Sequence, residues 1–467
     1  MAGRIRVTFH FTHSRGTKIF QSSSIHEKSP PMFVIAPILS ILLIAICAPV
    51  AGSVASQSAT EQQIVSHIDA NHDSAVALLR RLVNTNSGTM NFDGVAEVGS
   101  ILRAEFDALG FATSWVDGSS FDRAGHLVAT KDGSGPRLLL IGHLDTVFEP
   151  DSPFQDWEDR GDSIIGGPGI ADMKGGDVII VQALKALEAV GALDAMSITV
   201  VMTGDEEKSG RPLNRARQAL IDAADAADIA IGFENGDNNP MTAVVARRGS
   251  TGWRLEVSGR PAHSSQILQP EVGAGAIYEA SRILNQFYER LSGERYLTFN
   301  PGVMLGGTDV TFDAEQARGS AFGKGNVVSE HTIVSGDLRA ISPEQLQSAK
   351  DQMRAIVGEH LPHTRAEIIF DDGYPPLAPS PGNERLLSIL NEVSQDLGLG
   401  AMTGVDPRNA GAADVSFVAG RVEMAIDGLG LTGGDDHTVE EFADLRLLSV
   451  QAKRAAVLML RLTRMTI

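Results

Sequence analysis

Five side chains suited to metal chemistry follow apolar runs or stand in glycine-rich segments of this chain. His143 and Asp145 close the run LLLIGHLDT. Residues i and i+2 of a strand share a face, so a histidine beside a carboxylate there suits a metal ligand with its orienting partner. The same pair also fits a hydrogen-bonded loop histidine with a capping aspartate. Asp172 stands in GGPGIADMKGGD, where small residues allow close backbone approach, just before a helix it could equally cap. Glu206 and Glu207 follow SITVVMTGD directly. Adjacent carboxylates at the end of a buried strand repel each other, and a metal cation would compensate them. One could then bind metal while its neighbour serves as general base; a solvated acidic loop is the other reading. Glu234 ends DIAIGFENG, and His437 lies in the glycine-rich GGDDHTVEE. Together His143, Asp172, Glu207, Glu234 and His437 make two histidines and three carboxylates. That is what two Zn²⁺ ions need, with one bridging carboxylate and a position left for water. Co²⁺ or Mn²⁺ would accept the same ligands.

These residues need a scaffold that lines up strand ends. Ile64–Asn84 reads as an amphipathic helix and Gly94–Leu109 as a second one, stopped by Gly110. Arg137–Gly142, Ser197–Thr203 and Asp228–Phe233 read as buried strands, with a helix at Val178–Val190. Continuous apolar strands separated by helices predict an α/β domain whose mostly parallel sheet carries helices on both faces. Ligands then bind at the carboxyl ends of the strands. The middle of the chain changes character. Thr251–Ser258, Tyr296–Leu305, Val327–Arg339 and Arg365–Phe370 read as strands. Gly273–Leu291 and a segment capped at Ser342 read as helices. That order, β-α-β-β-α-β, is ferredoxin-like. After Tyr374-Pro375-Pro376 come a helix at Asn383–Leu397, a glycine-rich stretch and a last helix from about Val439. The expected organisation is a catalytic domain in two parts, 58–241 and 373–467, around an inserted α+β domain at 242–372.

Length and charge narrow the partners. The 467 residues exceed one ordinary domain. A net charge of −19, from 39 basic and 58 acidic residues, argues against nucleic acid and anionic membrane. Residues 1–55 read as an export signal. Arg4, Arg6, Arg15, Lys18 and Lys28 precede an apolar run from Phe33 to Cys47, then small residues to Ala55. The run is short for a membrane span, so an uncleaved anchor is the lesser reading, as is a lipid-anchoring box at Cys47, before which Ile46 is bulky where a small residue is wanted. Met32 is an alternative start. The mature protein is thus expected to be periplasmic or secreted and free of the membrane. Cys47 is the single cysteine, so no intramolecular disulfide can form.

The motifs GHLDTV, Asp-Met-Lys-Gly-Gly, the Glu-Glu pair, SGRPAHSS and the late histidine resemble one family. It is the co-catalytic di-zinc family of glutamate carboxypeptidase, aminoacylase, succinyl-diaminopimelate desuccinylase and tripeptidase T. The resemblance runs from about Ile64 to the end. It implies a di-zinc catalytic domain with a ferredoxin-like lid and two Zn²⁺ per subunit. His143 and Glu234 would complete one zinc site, Glu207 and His437 the other. Asp172 would bridge, followed by a cis peptide to Met173, and Asp145 would orient His143. Glu206 would be the general base. His263 would reach from the lid into the partner's active site of a homodimer and stabilise the oxyanion. Asn326, in GNVVSEHT, and Arg339, in SGDLRA, would hold the substrate carboxylate, a task suited to the arginine fork.

The chain departs from the family pattern at three places. Gly125-His126 stands where Gly-Asn is frequent, and His126 is expected at the surface or as a polar group near the site. Asn326 is followed by Val-Val-Ser where many members have proline. Asp435 and Asp436 make the approach to His437 unusually acidic. The expected substrate is a small peptide or an N-acyl amino acid. Glutamate at position 234 matches carboxypeptidase-, aminoacylase- and desuccinylase-like members, whereas dipeptidase-like members tend to carry aspartate. A carboxypeptidase releasing a C-terminal residue such as glutamate is the first reading. An aminoacylase-like deacylase is the second, ahead of a dipeptidase or a non-catalytic zinc- or peptide-binding protein.

Overall fold

The computed structural model describes residues 57–465 except 315, all in one compact unit. The expected export segment, with Met32 and Cys47, lies outside the described residues. No helix among them is long and apolar enough to cross a membrane.

Helices α1 (Ala59–Ala70), α2 (His72–Val83) and α3 (Phe92–Ala108) open the chain. Strands β1 (Ala112–Asp117), β2 (Gly125–Lys131) and β3 (Ser134–His143) follow, then α4 (Gly175–Ala189), β4 (Met196–Thr203), α5 (Gln218–Asp225) and β5 (Ile229–Gly232). A second layer uses β6 (Thr251–Gly259), α6 (Gly275–Leu291), β7 (Thr298–Gly307), the hairpin β8 (Asp309–Asp313) and β9 (Arg318–Phe322), β10 (His331–Arg339), α7 (Pro343–Gly358) and β11 (Thr364–Asp372). Then α8 (Pro381–Asp396), β12 (Met424–Ile426) and α9 (Arg446–Leu462) return to the first layer.

The first sheet has the order β1-β2-β4-β3-β5-β12. Strands β4, β3, β5 and β12 are parallel, and β1 and β2 run antiparallel at one edge. The parallel strands are apolar throughout because both faces are covered. Leu138 and Leu140 pack with α4 and α9 on one side, through Val178, Ile179 and Leu458. Leu139 and Ile141 pack on the other, with Leu220, Ala224 and Val415. The fold is α/β, as expected. Register then sets the site: His143 pairs with Thr203, and Ile141 with Gly232. Strands β3, β4 and β5 therefore end side by side.

The second sheet, β7-β10-β6-β11, is antiparallel throughout. Helices α6 and α7 cover one face, and its core of Trp253, Leu255, Ile283, Phe287, Val334 and Met353 is separate from that of the first layer. The chain crosses between layers at two adjacent places, which pair as antiparallel strands do. Arg247 N donates to Leu377 O and Leu377 N to Arg247 O, both at 3.0 Å; Ser250 N donates to Tyr374 O at 2.9 Å.

Three expectations are corrected. The single helix over Ile64–Asn84 is two. The Asn71 main-chain N–H and side chain both bond His67 O, closing α1 before α2 begins. The last helix starts at Arg446, not Val439, because Phe442–Asp444 pairs with Ile164–Gly166. The hairpin β8–β9 was not foreseen; its strands lack a continuous apolar run.

Candidate metal centre

His143 ends β3, and Nδ1 donates to the main-chain O of Asp145 at 3.0 Å. That leaves Nε2 facing outward, 3.1 Å from Asp172 Oδ1 and 3.6 Å from Glu234 Oε1. The other oxygen of Asp172, Oδ2, lies 3.2 Å from His437 Nε2, which is 3.1 Å from Glu207 Oε2. One carboxylate thus presents an oxygen to each of two clusters, His143–Glu234 and His437–Glu207. Ligand atoms of His143, Asp172 and Glu207 all fall within 4.8 Å of one another.

Each member is held from below. The Asp145 carboxylate, fully buried, accepts from the main-chain N–H of Glu206 at 3.0 Å and of Glu207 at 3.2 Å, and from Thr89 Oγ1 at 2.6 Å. Its Oδ1 is 3.5 Å from His143 Nδ1. Asp145 thereby fixes both the histidine and the Glu-Glu turn. Asp172 is set by Glu441, whose carboxylate accepts from the N–H groups of Gly169, Ala171 and Asp172 at 3.0–3.2 Å. Gly169 needs to be glycine: φ is +71°, and a Cβ would meet Thr146 Cγ2 at 2.4 Å. The Asp172–Met173 peptide is cis. His437 adopts a left-handed φ of +62° in its loop.

The electrostatics call for a cation. Burial pushes Glu206 and Glu234 well above the usual carboxylate range, with Asp414 and Asp172 respectively adding to it. Burial and Asp172 push Glu207 up to about 7. Hydrogen bonds to Asp172 and Glu207 raise His437 to about 11. Burial alone would lower His143, but Glu234, Asp145 and Asp172 hold it well above its ordinary value. Glu207 Oε1 is buried without a hydrogen-bond partner. Imidazole nitrogens, clustered carboxylates and an orphaned carboxylate oxygen fit divalent cations with nitrogen and oxygen preference. The cluster opens on a cavity of about 540 Å³, whose walls include Glu206, Arg247 and Asn409.

The substrate-side candidates lie elsewhere. His263, Asn326 and Arg339 do not line this cavity. His263 is exposed after β6, 2.9 Å from Ser265 Oγ, in a bridge to Val327 beside Asn326. Arg339 ends β10, and Nε donates to Asp337 Oδ2 at 2.8 Å.

Residues not singled out from the sequence complete the frame. Arg217, fully buried, donates to Asp205 and Asp414, and Arg247 to Asp427. Asp427 Oδ1 accepts from Glu234 N at 3.1 Å. Asp427 follows the buried β12 just as Glu234 follows β5, so the same signal marks it. Arg217 carries no such signal. His126 is buried rather than superficial: Nδ1 accepts from Gly204 N, and Nε2 donates to Ala216 O at 2.7 Å. Two main-chain partners explain why an imidazole is kept in the interior.

Residues 139–461 match the profile of peptidase family M20/M25/M40. The chain belongs to that family. It is 26% identical over 413 residues to carboxypeptidase G2 of Pseudomonas sp. (strain RS-16), covering 87% of this chain and 91% of that protein. It is 26% identical over 364 residues to the succinyl-diaminopimelate desuccinylase of Xanthomonas oryzae pv. oryzae (strain MAFF 311018), covering 75% and 90%. Its fold matches Bacillus subtilis YXEP, a dinuclear metal-binding peptidase from the M20 family. The TM-score is 0.59 at 14% identity, over 85% of this chain and 100% of that one. The resemblance drawn from the motifs holds, and the protein is a metal-dependent peptidase or amidohydrolase of this family.

Proposed function

We propose that the protein is a carboxypeptidase that hydrolyses the amide bond of a C-terminal amino acid, glutamate being the first candidate. The observation that carries this reading is Asp172, one oxygen toward each histidine, beside a Glu-Glu pair fixed by Asp145. The length of the match to carboxypeptidase G2 supports it. His143 and Glu234 would hold one Zn²⁺ and Glu207 and His437 the other, with Asp172, which offers an oxygen to each cluster, shared between them. When bound, the ions acidify a water and polarise the scissile carbonyl. Glu206 takes the proton of the attacking water and passes it to the leaving nitrogen, a role for which a raised carboxyl pKa is suited. Arg339 and Asn326 bind the free carboxylate of the substrate. Residues 242–372 act as a lid, and His263 of the partner subunit steadies the oxyanion in a homodimer. Residues 1–55 direct export, placing the enzyme in the periplasm or outside the cell.

The match to a desuccinylase favours a second reading, an N-acyl-amino-acid deacylase. A panel of N-blocked dipeptides against N-acetyl amino acids, with and without chelator, tests both. Chelator-sensitive release of a C-terminal residue from the dipeptides is expected. Preferential turnover of acetyl amino acids would favour the deacylase, and no turnover of either would sink both. Sedimentation of the active enzyme tests the dimer, which a fully active monomer would exclude.

A further inference from the structure

The two crossings between the layers each carry a side chain toward the main chain of a carboxylate in the metal centre, Arg247 by way of Asp427 and Tyr374 directly. Arg247 on the first bonds Asp427 Oδ2 from Nε at 2.9 Å, and Asp427 Oδ1 takes the N–H of Glu234. Tyr374 stands on the second, two residues beyond β11. Its hydroxyl donates to the carbonyl O of Glu206 at 2.9 Å and accepts from Arg217 Nη2 at 2.6 Å. Its ring lies 5.0 Å from that of Phe417, with the Arg217 guanidinium over both rings. Arg217 in turn holds Asp205, the residue just before Glu206, from Nη1 and Nη2.

We propose that Tyr374 is a positioning residue, through which the disposition of the second layer sets the main chain of Glu206. The proposal rests on the reading of Glu206 as general base. The link is short and fully connected. The main-chain O of Tyr374 accepts from Ser250 N on the other crossing, and its side chain ends on Glu206. Little slack exists between the crossings: a Cβ on Gly249 would meet Pro376 N at 2.7 Å and Tyr374 O at 2.8 Å. A rotation of one layer on the other must pass through these strands, because they are the two covalent connections. Units with separate cores move relative to each other by default unless a large apolar interface joins them. Such a rotation displaces the Tyr374 hydroxyl and, through it, the carbonyl of the base. Tyr374 touches no reacting atom; it acts through Glu206.

The test is Tyr374→Phe, which removes the hydroxyl and keeps the ring, together with Gly249→Ala, which forces the crossings apart. In Tyr374→Phe, kcat is expected to fall about tenfold, as a displaced catalytic group predicts. KM should stay within about twofold, with bound metal unchanged. Amide exchange by mass spectrometry should speed up over residues 205–210 and stay unchanged in β3 and β5. Gly249→Ala should lower kcat in wild-type but add little in the Tyr374→Phe background, since both act on one contact. Unchanged kcat and exchange in Tyr374→Phe would overturn the proposal. So would a kcat loss matched by metal loss, or full additivity of the two variants. Should the wild-type hydrolyse none of the substrate panel, the proposed activity fails, and the exchange result alone decides the role of Tyr374.

Discussion

At the scale of single residues, the site depends on which carboxylate binds and which moves a proton. Glu207 and Glu234 each face a histidine nitrogen, whereas Glu206 lines the cavity without such a partner. Glu206→Gln is therefore expected to lower kcat by roughly 10²–10⁴-fold with both metals retained. Substantial turnover by the metal-loaded variant would show that another group carries the proton. His126 gives a prediction in pH. Burial holds its pKa below 6.5, against the weaker pull of Asp205. The unfolded chain then binds a proton that the folded chain refuses. Stability is intact above pH 6.5 and falls as pH drops through the folded-state pKa. Thermal melts of His126→Asn should lack that part of the acid-side loss; an unchanged pH slope would refute the assignment. His143, Glu207 and Glu234 were legible because each follows an apolar run, and Asp172 and His437 because glycine-rich motifs frame them. Arg217 and Tyr374 were not, because their bonds to the Glu206 turn link positions with no pattern in common. Of the two expectations for His126 the surface one fails for the same reason: nothing local to it announces the carbonyl of Ala216, 90 residues away.

At the scale of elements, parallel register does the positioning. Three strands end level, so side chains far apart in sequence meet without long loops. The packing of α4 against β5 protects that alignment. Gly176 lies directly on the chain leaving β5, and a Cβ there would meet Phe233 O at 2.0 Å. A backbone oxygen cannot swing aside, so Gly176→Ala must displace the segment that carries Glu234. The expected cost is about 1–3 kcal/mol, seen as a lower Tm, together with weaker retention of one metal. Normal metal content and Tm would show that the helix start yields instead. The buried strands and most helices were legible, since hydrophobic runs and caps such as Ser342 are local signals. The break at Asn71 was not, because the apolar periodicity continues across it while one side chain closes the turn. The start of α9 was hidden because Phe442–Asp444 pairs with Ile164–Gly166, a segment far away in the sequence.

At the scale of the whole molecule, the two layers keep separate cores. The first layer carries every ligand-type residue: His143, Asp172, Glu207 and Glu234 before the crossings, His437 after them. The smaller core, with Trp253 and Phe287, shares no residue with the larger. The order of elements was legible because the hydrophobic pattern switches from continuous to alternating near Thr251. How the layers face each other was not, because the paired crossings consist of main-chain bonds that no side-chain pattern encodes.

Those paired crossings also make the second layer a removable cassette. Its entry and exit lie side by side, with Gly373 N bonded to Ser250 O at 3.1 Å. A splice that joins residue 250 to 373 through a short glycine linker asks little of the host fold, as insertions between adjacent ends generally do. The shortened chain should fold, melt cooperatively and take up metal to the full stoichiometry, yet turn over no peptide if His263, Asn326 and Arg339 have the roles proposed for them. An insoluble or metal-free product would mean that the two layers are not separable units. If the proposed roles of Asn326 and Arg339 hold, such a joint would let selectivity be exchanged in a lineage by swapping one contiguous gene segment while the metal centre stays as it is.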